Sequence, residues 1–145
     1  MIHFELVTLE GKKFSDDVHE VLLPTPDGQI AIFKNHAPLV SLATEGIIGV
    51  RHKPEHPDDM IEHFATNGGV IEVNDDAVRV LVDEASAGEE VDESEAKAAL
   101  ERAKQLRKEA KDQVSLEHAQ QQVNRSATQL KVAELKKRSR RKPRT

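Results

Sequence analysis

Residues 66–82 read Thr66-Asn67-Gly68-Gly69-Val70-Ile71-Glu72-Val73-Asn74-Asp75-Asp76-Ala77-Val78-Arg79-Val80-Leu81-Val82. Two short β-rich runs, Val70–Val73 and Val78–Val82, each follow a cluster of Asn, Asp or Gly. Asn67-Gly68 between apolar runs predicts a hairpin, because both central residues of a tight two-residue turn need positive φ. The same alternation extends upstream through Ile2–Thr8, Val18–Leu23, Ile30–Phe33, Leu39–Leu42, Ile47–Arg51 and Met60–Thr66. Glu10-Gly11, Asp27-Gly28 and Glu45-Gly46 separate them. Short strands with regularly spaced turns predict a β-sandwich or barrel. The stretch 53–59, with two Pro and three acids, reads as an exposed loop.

Working outward, the pattern stops near Gly88. All four Phe, all seven Gly and five of six Pro lie at or before it. Residues 1–87 carry 6 basic and 16 acidic side chains, net −10, whereas residues 88–145 carry 15 and 10, net +5. Such asymmetry predicts two modules, 1–87 and 88–145, with different partners or a mutual attraction.

The second module reads as helical. Asp92 with Glu95 three residues on has the form of a capping box, with Asp in place of Ser or Thr. Ala96, Ala99, Ala103, Leu106 and Ala110 then repeat at helical spacing, as do Leu116, Ala119, Val123, Ser126, Leu130 and Ala133. The two stripes are one residue out of phase, which argues for a break near 111–115 with Ser115 as N-cap. The result is an antiparallel helical hairpin. Its mostly-Ala seam buries little area, at roughly 25 cal/mol per Å². With no Gly or Pro at the break, a single long helix remains the alternative.

Composition excludes several chemistries. The chain has 145 residues, 37% hydrophobic and 32% charged, too apolar for disorder. It has no Cys, hence no disulfide, Cys-ligated zinc, iron–sulfur cluster or thiol catalysis. Its longest apolar run, Ile30–Phe33, is far short of the roughly 20 residues of a membrane span. No signal or transit pattern opens it, so the expectation is a soluble intracellular protein. No nucleophile–base pair, carboxylate dyad or phosphate loop stands out, which argues against an enzyme.

One stretch carries a family resemblance. Gly28-Gln29-Ile30-Ala31-Ile32-Phe33-Lys34-Asn35-His36-Ala37-Pro38-Leu39-Val40 resembles the G-E-L-G-I-x-P-G-H-A-P-L-L run of the epsilon subunit of F-type ATP synthases. Phe14–Val18, Glu45–Ile48, Thr66–Val73, Val78–Ala85, Val91-Asp92 and Val132–Lys136 resemble further family elements, in the family's order. The resemblance covers essentially the whole chain. It implies a ten-stranded antiparallel β-sandwich followed by a two-helix hairpin, in a non-catalytic rotor subunit of the central stalk. The implied partners are the gamma subunit and the c-subunit ring, plus alpha and beta when the hairpin extends and blocks ATP hydrolysis. The implied place is peripheral, on the cytoplasmic face of the bacterial plasma membrane. Contact with the membrane is only through the complex, and no nucleic acid is expected.

Candidate residues follow. Gln29 and His36 match the loop the family uses against the c ring; the plainer reading of His36 is a turn residue beside Pro38. Gln29 replaces a Glu, and Lys34-Asn35 replaces Pro-Gly. On the second helix, Arg125, Lys131, Lys136, Lys137 and Arg138 match basic positions that meet the catalytic head. Some members bind ATP through I/L-D-x-x-R-A plus second-helix arginines. Here Asp92 and Arg125 match, but Glu95 replaces the arginine and would repel phosphates. Asp92 therefore reads first as an N-cap, with weak nucleotide binding by Asp92 and Arg125 as the minority reading; no other cofactor is expected. His52, His56 and His63 cluster around the 54–59 loop, where solvated histidines are favoured over a metal site. The tail 136–145, with seven basic residues and no acid, reads as a helix end suited to the macrodipole. A nucleic-acid or anionic patch is the alternative, unaided by any aromatic residue.

Overall fold

The computed structural model describes residues 1–141. Its strands are β1 (Ile2–Thr8), β2 (Gly11–Val18), β3 (Glu20–Thr25), β4 (Gly28–Ile32), β5 (Leu39–Ala43), β6 (Gly46–Arg51), β7 (Glu62–Thr66), β8 (Gly69–Asn74), β9 (Ala77–Val82) and β10 (Ala85–Ala87). They form two five-stranded sheets, β2-β1-β9-β8-β5 and β10-β7-β6-β3-β4. Neighbours run antiparallel, apart from the parallel pair β1 and β9. Alternate residues of each strand point inward, so Ile2, Phe4, Leu6, Val21, Leu23, Ile48, Val50, Ile71, Val78 and Val80 are fully buried between the sheets. Each such side chain contributes about 1.5–3 kcal/mol. The polar edge strand β2 adds Phe14, whose ring lies 5.5 Å from Phe4 and 5.8 Å from Phe64.

The strands depart from the sequence reading where polarity or a sheet change hides them. β2 reads Gly-Lys-Lys-Phe-Ser-Asp-Asp-Val, and as an edge strand it keeps most of its side chains in water. The run Val18–Leu23 splits at His19, where the chain passes from one sheet to the other. Met60 belongs to a 3₁₀ turn, Asp58–Met60, before β7. Asn67-Gly68 is not a hairpin, because β7 and β8 lie in opposite sheets. Of that pair only Gly68 has positive φ, +102°. The side chain of Asn67 instead accepts from the Glu84 amide at 3.3 Å. This crossing needs glycine for close approach: a Cβ on Gly69 would sit 1.9 Å from the Leu81 carbonyl oxygen.

Two helices follow, α1 (Glu93–Glu109) and α2 (Gln113–Arg141). Asp92 caps α1 by accepting from the Glu95 amide at 3.1 Å. Ala110 turns extended, at φ −63° and ψ 126°, so the helices form a hairpin rather than one rod. The cap of α2 is Asp112, not Ser115. Its carboxylate accepts from the Ser115 amide at 2.7 Å and hydroxyl at 3.0 Å, bonds that hold Asp112 below the usual carboxylate range. Ser115 sits at the third helical position and donates, while the carboxylate three residues earlier is the stronger acceptor. The seam buries Ala96 and Ala103 on α1 and Ala119, Val123, Ser126 and Ala133 on α2. Towards the tip Leu106 and Val114 are 54% and 78% exposed. α1 packs chiefly on α2, and α2 in turn lies on the second sheet at β7 and β10.

The glycine at the sheet crossing yields a direct test. Gly69→Ala is expected to destabilise the chain by about 3 kcal/mol, the upper end for overpacking. Chemical denaturation followed by circular dichroism reads this out.

Candidate functional site: the docked hairpin and the open sheet faces

Three of the five basic residues expected to meet the catalytic head are paired with acids within the chain. The Arg125 guanidinium donates to Glu84 through Nη2 at 2.5 Å and Nε at 3.2 Å. Burial raises the nearby Glu45 carboxyl, and Arg125 partly offsets this. Lys136 pairs with Glu89 at 2.7 Å, and Lys137 with Glu93 at 3.4 Å. Lys131 acts electrostatically on His63. Arg138 lies exposed along a groove with Leu100, Leu130 and Leu135. Exposed ion pairs of this kind contribute about 0–1 kcal/mol each.

The apolar anchor of α2 is Val132, fully buried. It lies one residue off the predicted stripe, because α2 faces α1 and the sandwich at once. Beneath it is Gly88, where a Cβ would come within 2.8 Å of the Val132 carbonyl oxygen and 2.6 Å of the Lys136 Cβ. A side chain at 88 would push the helix away.

His52, His56 and His63 do come together, lining a cavity of about 430 Å³ between loop 52–61, the Gly88–Glu90 turn and α2. They are half-buried rather than solvated. Arg51 closes the loop, bonding Glu20 at 2.8 Å, Asp58 at 2.7 Å and the His56 carbonyl. His52 Nε2 lies 2.8 Å from Glu62, and His56 Nδ1 is buried without a partner. Burial lowers the His63 imidazole below its ordinary range; Lys131 adds to this and Glu62 opposes it. Among the described residues no group of three or more His, Asp or Glu is placed to hold a metal ion.

Asp92 and Arg125 line a second cleft with Arg102, Gln122 and Gln129. Both are occupied, one as a helix cap and the other with Glu84, and Glu95 sits in the same cleft. Gln29 lies within β4, the free edge of the second sheet, and His36 lies in the loop after it. Gln29 is exposed near one end of it. Beyond the other end, His36 Nδ1 donates to the Ala37 carbonyl at 2.6 Å. Asn35, where the family has Gly, adopts φ +66°, a conformation Asn tolerates.

Sequence reading missed the outer face of the first sheet. Register aligns Leu42, Val70, Leu81 and Val7 in one row across four strands. Leu42 is 62% exposed, and Val40 in the next row 76%. The signal was the consecutive apolar pairs Val70-Ile71 and Leu81-Val82, which leave a strand apolar on both faces. Beside the row, Glu5 binds Lys12 at 3.0 Å and Arg79 at 3.2 Å, which lowers its carboxyl. Ser15, His3 and Asp17 also meet on this open face, at 3.3 and 2.8 Å. Asp17 first, and Glu5 with it, raise the imidazole's pKa.

A ten-stranded sandwich carrying a docked helical hairpin defines the delta/epsilon type of ATP synthase stalk subunit. Residues 1–88 match the family model of the ATP synthase delta/epsilon chain β-sandwich domain, and residues 89–134 that of its long α-helix domain. The ATP synthase epsilon chain of Sulfurihydrogenibium sp. is 34% identical over 137 residues, 94% of this chain and 99% of that one. That of Chloroflexus aggregans is 33% identical over 140 residues, 97% of each. A chain in the mitochondrial ATP synthase of Euglena gracilis shares the fold, with a TM-score of 0.77 at 21% identity, over 92% of this chain and 81% of that one. The chain belongs to the epsilon-subunit family of F-type ATP synthases, a component of the central stalk. The nucleic-acid reading of the tail gains no support from this, and tail residues 142–145 lie outside the described residues. No described helix is long and apolar enough to cross a membrane.

Truncating the anchor tests the docking geometry. Val132→Ala removes two methyl groups, at about 0.8 kcal/mol each, and is expected to raise hydrogen exchange of α2 roughly tenfold. Exchange in the strands should stay unchanged.

Proposed function

We propose that the chain is a non-catalytic coupling and regulatory subunit of a proton-translocating rotary ATP synthase. In this reading the sandwich links the gamma subunit to the c ring at the cytoplasmic face of the membrane. The open apolar row of Leu42, Val70 and Leu81 suits a permanent protein partner such as gamma, because rows of this kind mark interaction surfaces. Gln29 and His36, at the free edge, suit polar contact with the ring.

The hairpin is the regulatory part. Released from the sandwich, it extends towards alpha and beta and slows ATP hydrolysis. The observation that carries this reading is the internal pairing of Arg125 with Glu84 and of Lys136 with Glu89. The same cations serve two states, so docking on the sandwich competes with acidic groups on the head. A ligand or rotor torque need supply only a few kcal/mol to change the balance.

Nucleotide is not assigned a role here. Glu95 stands in the cleft beside Asp92 and Arg125 and repels phosphates. Isothermal titration of the full chain with ATP should give no binding, whereas Glu95→Arg should gain measurable affinity.

Hydrolysis by the cognate head lacking this subunit tests the main reading. The full chain is expected to bind and inhibit, and residues 1–90 to bind without inhibiting. Glu84→Gln should deepen inhibition about twofold, the worth of one exposed ion pair. Binding by both forms without inhibition would leave a purely mechanical subunit. Failure of both to bind would overturn the proposal.

A further inference from the structure

We propose that the hairpin–sandwich junction is an acid-sensitive latch, in which protonation of His63 weakens the docking of α2. This rests on the reading above only in taking hairpin release to be functional. His63 sits on β7 and lines the junction cavity with Val132 and Lys136 of α2. Docking covers the imidazole and brings up the Lys131 ammonium, and both effects disfavour an imidazolium.

The other charged groups around this cavity do not reverse the effect. On β7, Glu62 favours the charged ring, but its carboxylate is already bonded to His52 at 2.8 Å. Glu89, from the turn after β10, pairs with Lys136 of α2. His52, His56 and Asp59 belong to the loop before β7 and stay with the sandwich in either state. Glu45 lies elsewhere under α2, near Arg125, and works in the opposite sense, since burial raises its carboxyl.

The pH dependence follows from linkage. The docked state holds His63 below its ordinary value of 6.5. Above that value both states are neutral and docking keeps its full strength. As pH falls through it, the undocked chain takes up a proton that the docked chain refuses. Docking therefore weakens on acidification. The effect therefore develops as pH falls through the ordinary histidine value and below it.

A distance measurement on the full chain tests the proposal. The protein has no cysteine, so Glu10→Cys and Val114→Cys give one labelled pair between sandwich and hairpin tip. Acidification across the histidine range should raise the released-to-docked ratio several-fold. Gly88→Ala, which crowds α2, poises the equilibrium near balance so that the change is visible even if the unaltered chain is almost wholly docked. In that background His63→Gln should remove the response, and His52→Gln should retain it. Nuclear magnetic resonance titration of His63 should give a value below the ordinary one, rising in the Gly88→Ala chain. An unchanged response in His63→Gln, or a His63 titration unmoved by Gly88→Ala, would overturn the latch. Release on acidification in a chain that never inhibits the head would instead sink the regulatory reading and leave the latch standing.

Discussion

α2 has to serve two interfaces with one helix surface. One stripe faces α1 and another faces the second sheet, so neither can be broad or large. Ala119, Val123, Ser126 and Ala133 pack in the hairpin, and Val132 alone is fully buried towards the sandwich. The sandwich core, by contrast, holds Phe4, Leu6, Leu23, Ile48 and Ile71 at zero exposure. The chain thus joins a strongly cored domain to one held by a single valine, a close backbone contact at Gly88 and exposed ion pairs. Free energies of local opening follow such differences in buried apolar area.

Much of this division was legible in the sequence. Period-two runs marked the inner strands, and helical spacing with a one-residue phase slip marked the hairpin break. Strands β2 and β10 escaped, one because an edge strand can be polar and the other because three small residues carry no pattern. Asn67-Gly68 misled because turn residues report backbone conformation, not whether the next strand joins the same sheet. The basic residues of α2 were visible as charges, but their partners were not. Glu84 lies 41 residues from Arg125 in the chain and meets it only through the fold. The three histidines were grouped by sequence proximity, yet their half-buried state depends on Arg51 closing the loop and α2 covering it.

The two sheets divide the work. One outer face is covered by α2 along β7 and β10, while β4 stays open at its edge with Gln29 exposed. The other outer face is uncovered and graded, from the apolar row at Leu42 and Leu81 to the ionic cluster of Lys12, Glu5 and Arg79. The uncovered face and the helix-covered face belong to different sheets, so contact at one leaves the other free.

The single parallel pair, β1 with β9, also governs the order in which the structure forms. It places the first strand beside one more than seventy positions later, His3 against Ala77. Contacts of that span form slowly, because a long loop must close before any energy is gained. The helices rely on local contacts and become helical quickly once made. During synthesis, a chain that has emerged as far as Ala87 already holds every strand of the sandwich. The hairpin can dock only on strands that have already paired, so its attachment follows the slow closure of the sandwich rather than preceding it.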